Sequence, residues 1–143
     1  GALGAFGQGA AAYGLDAPLP EGEQAEAEAE MVAAHCDKLP ESAAAPMVEA
    51  QRLRDATFAH AVRRAMAAGG GAAVLITGNG HARTDRGVPL YLEASDPGLA
   101  VRALGQIEVD RERTAFADYE ELPYDYVWFS APAERPDPCA AFE

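Results

Sequence analysis

The period of the hydrophobic pattern changes along the chain, and each change marks an element. Met47, Gln51, Asp55, Phe58, Val62 and Met66 recur at helical spacing down one face. This predicts a helix over Met47–Ala68, with Pro46 tolerated in its first turn and Gly69-Gly70-Gly71 at its end. Ala72–Thr77 is a short apolar, β-branched run bounded by glycines, the pattern of a buried parallel strand, and Gly78-Asn79-Gly80 breaks it. Ala100–Val109 and Tyr124–Ser130 have the extent and composition of two more strands, and Val88–Glu93 reads as a short helix opened by Gly87 and Pro89. Upstream, Glu21–Cys36 reads as a helix whose acidic first turns complement its dipole, with an Ala/Glu mid-section that forms a solvated face. Gly1–Leu15 is a loosely helical or irregular lead-in, and the proline-rich tail beyond Ser130 cannot join a ladder. The class is α/β, a partial parallel sheet flanked by helices, with a small helical subdomain over residues 16–46.

At 143 residues the chain has room for one domain with a modest core, or for part of a larger one. Much of its apolar content is alanine. The larger apolar side chains cluster at Met47–Met66, Val74–Ile76, Val88–Leu92, Val101–Val109 and Tyr124–Phe129, which places the core there. A net charge of −12 repels polyphosphate backbones and anionic membrane surfaces and argues against nucleic acid as a partner. Against that background Gln51–Arg64 and His81–Arg86 form a locally basic strip suited to a small anionic ligand. No stretch approaches the roughly 20 apolar residues that span a bilayer. The chain opens on Gly1, so its ends are open to having been cut, and the lack of a leader carries no information about compartment. Cys36 and Cys139 lack CxxC spacing. They are either a disulfide closing a loop of about 100 residues or two unrelated thiols.

Two places carry chemistry. On the long helix, Gln51 and Asp55 continue the apolar stripe with polar groups, which in a core need partners or a ligand. In the loop Gly78–Pro89, His81 can ligate a metal or shuttle a proton, Arg83 and Arg86 can clamp carboxylates, and the glycines allow close backbone approach. The helix from Asp55 to Ala68 rises about 20 Å and the run from Ala72 to Gly78 returns a similar distance. Antiparallel packing therefore predicts that Gln51 and Asp55 lie level with Asn79–His81, at a strand's carboxyl end where α/β ligands bind. There is no nucleophile elbow, zinc-protease helix motif, Walker lysine or complete dinucleotide fingerprint.

Met47-Val-Glu-Ala-Gln-Arg-Leu-Arg-Asp-Ala and Ile76-Thr-Gly-Asn-Gly-His-Ala-Arg-Thr-Asp-Arg-Gly-Val-Pro, with Asp125-Tyr-Val-Trp-Phe and Asp137-Pro-Cys139, resemble the ChaN-like family of haem-binding proteins. The resemblance implies a parallel sheet flanked by helices plus a small helical subdomain, with this chain as the C-terminal half. The family's first strands and Gly-Glu-x-His-type motif are not matched in it. It further implies haem acquisition or handling outside the cytoplasm, in a family whose members are often lipoproteins, and a periplasmic setting that favours a Cys36–Cys139 disulfide. Carried over by position, Gln51, Asp55, Asn79, His81 and Arg83 line the ligand site, and Arg86 of the same loop joins them. The family is associated with tyrosine ligation of haem iron, no tyrosine here is matched to that position, and the candidate iron ligands are His81 and, by its proximity to the loop, Tyr91. The alternative is a hydrolase of the erythromycin-esterase-like type, with His81 and Asp55 activating water. An incomplete parallel sheet leaves an exposed edge, so a homodimer or a separate N-terminal half is expected as partner.

Overall fold

The computed structural model describes residues 7–110, 112–113 and 115–142, so the first six residues of the predicted Gly1–Leu15 lead-in fall outside the described residues. The chain divides into two compact units, residues 1–57 with 135–143, and residues 58–134.

In the first unit, helix α1 spans Glu21–Ala34, with Glu21 and Glu23 in its first turn and no buried residue along its length, as a solvated Ala/Glu face requires. Helix α2 spans Glu41–Gly69 and begins in this unit. It starts six residues ahead of the predicted Met47, because Ala43–Ala45 are strong helix formers and the turn closes through Ala43 N–H to Pro40 O (2.8 Å). Pro46 therefore sits inside the helix, where it forfeits one backbone bond. The buried line on α2 in this unit is Ala44, Val48, Arg52, Asp55 and Ala56. The buried guanidinium of Arg52 donates to Glu49 (2.8 Å) and to the carbonyl of Ala17 (2.7 Å). That tie anchors a lead-in whose Ala10, Tyr13 and Leu15 are buried around a 3₁₀ turn over Gly7–Tyr13. Cys36 and Cys139 are joined by a disulfide, with Cα atoms 5.6 Å apart.

In the second unit α2 continues to Gly69, and Gly70, at φ 67°, takes the left-handed position that ends it. Helices α3, Asn79–Ala82, and α4, Val88–Ser95, follow, then strands β1, Leu104–Glu108, and β2, Tyr126–Ser130. The strands pair in parallel, with Leu104 opposite Tyr126 and Gln106 opposite Trp128. Both strands predicted here exist in shortened form.

The third does not. Ala72–Gly78 forms no ladder, and Val74 and Ile76 are 88% and 89% exposed, against the prediction of a buried strand and a core at Val74–Ile76. The residues have the right type, but a ladder needs a neighbouring backbone. No described residue pairs with this run. The core of this unit lies on Ala59, Val88, Tyr91, Leu92 and Ala103, within three of the predicted clusters, and on Tyr119, whereas Tyr126 and Trp128 of the predicted Tyr124–Phe129 cluster are exposed because the sheet face they occupy is uncovered.

Candidate functional site

Within the second unit a cleft of about 400 Å³ opens beside the loop, within the range of small-ligand pockets. Its apolar lining comes from Val62 and Met66 of α2, Leu75, Val88 and Leu92 of α4, and Leu99, Val101 and Leu104. The polar lining includes Thr77, Asn79, His81, Arg102 and Gln106.

The loop beside it is held rigidly by its own chain. Gly87 N–H donates to Arg83 O (3.0 Å), and both the N–H and the hydroxyl of Thr84 donate to Pro123 O (2.9 and 3.1 Å). The guanidinium of Arg83 grips Asp85 through Nε (2.9 Å) and a second nitrogen. This pairing raises the Arg83 pKa and holds the Asp85 carboxyl below its ordinary value, partial burial opposing it in each case. Burial is also the main cause that pushes the Tyr124 phenol up. Arg83, predicted as a ligand clamp, thus has its fork committed to a neighbour two residues away.

Asn79, one of the lining residues, ties the loop to β1. Its carboxamide donates to Gln106 O and accepts from Gln106 N–H (3.1 Å). Tyr126 N–H bonds Ala103 O and Val109 N–H bonds Ser130 O, so the odd-numbered residues of this stretch face β2. The groups of Gln106 therefore point to the opposite edge, and Asn79 stands where another strand's backbone would be. Tyr124 then donates its hydroxyl to Asn79 O (3.2 Å).

His81, two residues on, is half-buried, lines the cleft, and meets the Phe58 ring edge-on at 5.3 Å between centroids. Tyr91, the other candidate iron ligand, is 3% exposed and is not among the lining residues. The predicted role of the glycines is also revised. Gly78 and Gly80 have open space where a side chain would be, whereas Gly87 lies against the carbonyls of His81 and Arg83, so its close approach is to its own loop.

Arg86 lies in the loop of the second unit and is not among the cleft's lining residues. The remaining predicted residues, Gln51 and Asp55, lie in the first unit. Gln51 donates to the Asp55 carboxylate (3.4 Å), which is buried to 1% exposure. The structure brings Asn79 and His81 into one cleft and joins Gln51 to Asp55 as a second pair. Sequence reasoning missed Arg52 and Arg102. The first was legible: four residues after buried Val48, it shares that helix face. The second lies in a segment predicted as strand, where neither spacing nor motif singles it out. Among the described residues no cluster of three or more His, Cys, Asp or Glu could hold a bare metal ion. Among the described residues no helix is long and apolar enough to cross a membrane.

Residues 4–92 match the protein family described as haem-binding uptake, Tiki superfamily, ChaN. The chain belongs to this family. Neither the curated proteins nor the solved structures compared with it give a match. The ChaN match takes in α2, α3 and most of α4, and with them most of the loop side of the cleft, while β1 and β2 lie beyond it. The lining suits the group the family name implies. Apolar walls accommodate a macrocycle, and an imidazole is a common iron ligand.

Proposed function

We propose that this ChaN-family protein binds haem for acquisition or handling outside the cytoplasm, holding it at the Gly78–Pro89 loop and the adjoining cleft. Asn79, His81 and Arg86, all in the second unit, are the remaining residues we assign to the ligand. Haem supplies an iron with axial positions open to a protein ligand. The observation that carries the reading is an imidazole in a largely apolar cleft, in a chain of this family. Between the two candidate ligands, its place in the lining favours His81 over the enclosed Tyr91. The disulfide supports an oxidising compartment.

Titration with haemin tests this. Wild type should shift the Soret band and quench the fluorescence of Trp128, which pairs with the cleft residue Gln106 across the sheet. His81→Ala should weaken binding at least tenfold or so, since even outer-sphere partners of metal ligands are worth about 10- to 100-fold. Tyr91→Phe should leave the spectrum unchanged. The absence of any Soret shift in wild type would remove the haem reading. A shift lost in Tyr91→Phe and kept in His81→Ala would remove the ligand assignment.

The same reading includes a polypeptide partner, a second copy or an N-terminal segment of a longer precursor. Tyr126 and Trp128 are 60% and 66% exposed on the sheet face they share with Leu104, whereas parallel sheets are ordinarily covered on both faces. Light scattering at micromolar concentration should give twice the chain mass. A monomer throughout would exclude the second copy, and a precursor with no additional N-terminal segment would exclude the other source.

A further inference from the structure

Val74 and Ile76 are 88% and 89% exposed, more than any other large apolar side chain among the described residues. Leu75 between them is 38% exposed, and Ala73 and Thr77, two residues to either side of it, are half-buried. Exposure along residues 72–77 therefore alternates with the period of a strand. Backbone groups in such a run ordinarily bond to a neighbouring strand. Here none of the N–H and C=O groups of residues 72–77 forms a hydrogen bond with any described residue.

The run is also bare of charge. Residues 65–80 include no acidic or basic side chain other than none at all of Asp, Glu, Lys or Arg, in a chain where 24% of residues are charged. Natural proteins ordinarily protect a strand edge from another chain with charged residues, proline or a bulge. None of the six residues is charged or a proline, which leaves the edge open to strand addition. Its neutrality also selects the partner. Two copies, each with a net charge of −12, repel over most of their surfaces and approach closely where neither carries charge. A charged foreign segment would find no complementary group on this run, whereas a second copy presents the same uncharged, apolar residues with β-branched side chains at Val74, Ile76 and Thr77.

We propose that two copies of the chain pair antiparallel along residues 72–77 and form a two-fold dimer by strand addition. This rests on the reading that the protein takes a polypeptide partner, and it names the partner as a second copy and the contact as this edge. A two-fold axis normal to the strands keeps the exposed side chains of both copies on one face, so exposed residues must oppose exposed ones. Centring the pairing on Leu75 meets that condition. Val74 then lies across from the partner's Ile76, Leu75 across from the partner's Leu75 and Ala73 across from the partner's Thr77. Centring it on Val74 would instead set Ile76 across from the partner's Ala72, which gives up a pair of large apolar side chains.

The experiment measures the mass of wild type, Val74→Lys, Ile76→Lys and Trp128→Lys by sedimentation over a range of concentrations. Wild type should be a dimer at micromolar concentration. Val74→Lys and Ile76→Lys should each raise the dimer dissociation constant at least about tenfold, because a lysine enters a two-fold edge twice. Both positions are almost fully exposed, so circular dichroism should be unchanged. Cross-linking reads the register. The two native cysteines are bonded to each other, so an introduced cysteine supplies the free thiol. A mixture of Val74→Cys and Ile76→Cys should give a disulfide-linked heterodimer under mild oxidation, since opposed Cβ atoms lie roughly 4.5 to 5.5 Å apart. Each variant alone should cross-link far less. A dimer that survives both lysine substitutions overturns the inference. If Trp128→Lys dissociates that dimer, the second copy lies on the sheet face and the partner reading stands without this edge. Cross-linking of each cysteine variant with itself and not in the mixture overturns the pairing. Wild type that stays monomeric overturns the inference too, whether or not an N-terminal segment of a longer precursor then occupies the edge.

Discussion

Gly87→Ala is expected to destabilise the protein by about 3 kcal/mol, the upper end of what overpacking a buried site costs, and to weaken haemin binding with it. A methyl group there would meet His81 O at 2.4 Å and Arg83 O at 2.7 Å. Both are backbone atoms, so no side chain can swing aside. The bond from Gly87 N–H to Arg83 O, at 3.0 Å, is what folds the loop this tightly, and a methyl group would force it open. Alanine for glycine ordinarily gains about 0.4 to 1 kcal/mol by restricting the unfolded chain, which is too little to offset the clash. Because one of the displaced carbonyls belongs to His81, the imidazole shifts with the loop. Gly78→Ala is the matched control, since open space surrounds its missing Cβ and its φ of −69° suits alanine. Thermal unfolding should place Gly87→Ala about 10 °C below that control. Equal melting temperatures would show that the loop is not held by this contact.

The loop also shows where the sequence could be read and where it could not. Its boundaries, its place after an extended run and its concentration of His81, Asn79 and arginines were legible, because glycine and proline punctuate the chain locally. The use of each group was not. Arg83 carries the same motif position whether it clamps a ligand or Asp85, and only coordinates distinguish them. Ala72–Thr77 illustrates the opposite limit. Its residue types satisfy every local criterion for a buried strand, yet burial is a property of what lies alongside, and Val74 and Ile76 are exposed. The long helix was legible to its last turn because Gly70 supplies the left-handed residue that closes it. Its start was misplaced because Pro46 read as a first-turn signal, whereas the helix begins at Glu41 and runs through it. Asp55 was correctly picked out as a polar residue entering a core face. The stripe it belongs to is rotated from the predicted one and includes Arg52 and Val48 rather than Met47.

Removing the Cys36–Cys139 bond, in a Cys36→Ser/Cys139→Ser double variant, should cost about 4 to 5 kcal/mol, since the cross-link joins residues 103 apart and the entropy it withholds from the unfolded chain grows with loop length. The local structure gives a second reason. Cys36 and Asp37 follow α1 in the left-handed region, at φ 59° and 55°, which costs roughly 1 to 2 kcal/mol per residue for side chains other than glycine. The helix-end bonds from Cys36 N–H to Ala33 O (3.0 Å) and from Asp37 N–H to Val32 O (3.1 Å) offset part of that cost. On the other side, Cys139 sits in a short 3₁₀ turn over Pro138–Phe142, with its N–H capped by the Asp137 carboxylate (2.8 Å). The prolines that precede this turn keep the tail out of any ladder, and the disulfide ties it covalently to the residues that follow α1 within the first unit. Urea unfolding of the oxidised protein and the double variant should show the midpoint falling by several kcal/mol divided by an m-value of about 1 to 3 kcal/mol/M. Dithiothreitol should lower the wild-type midpoint to the same value and leave the variant unmoved. A loss below about 1 kcal/mol would mean that the tail is held by its other contacts, and that the unfolded chain gains little freedom when the cross-link is absent.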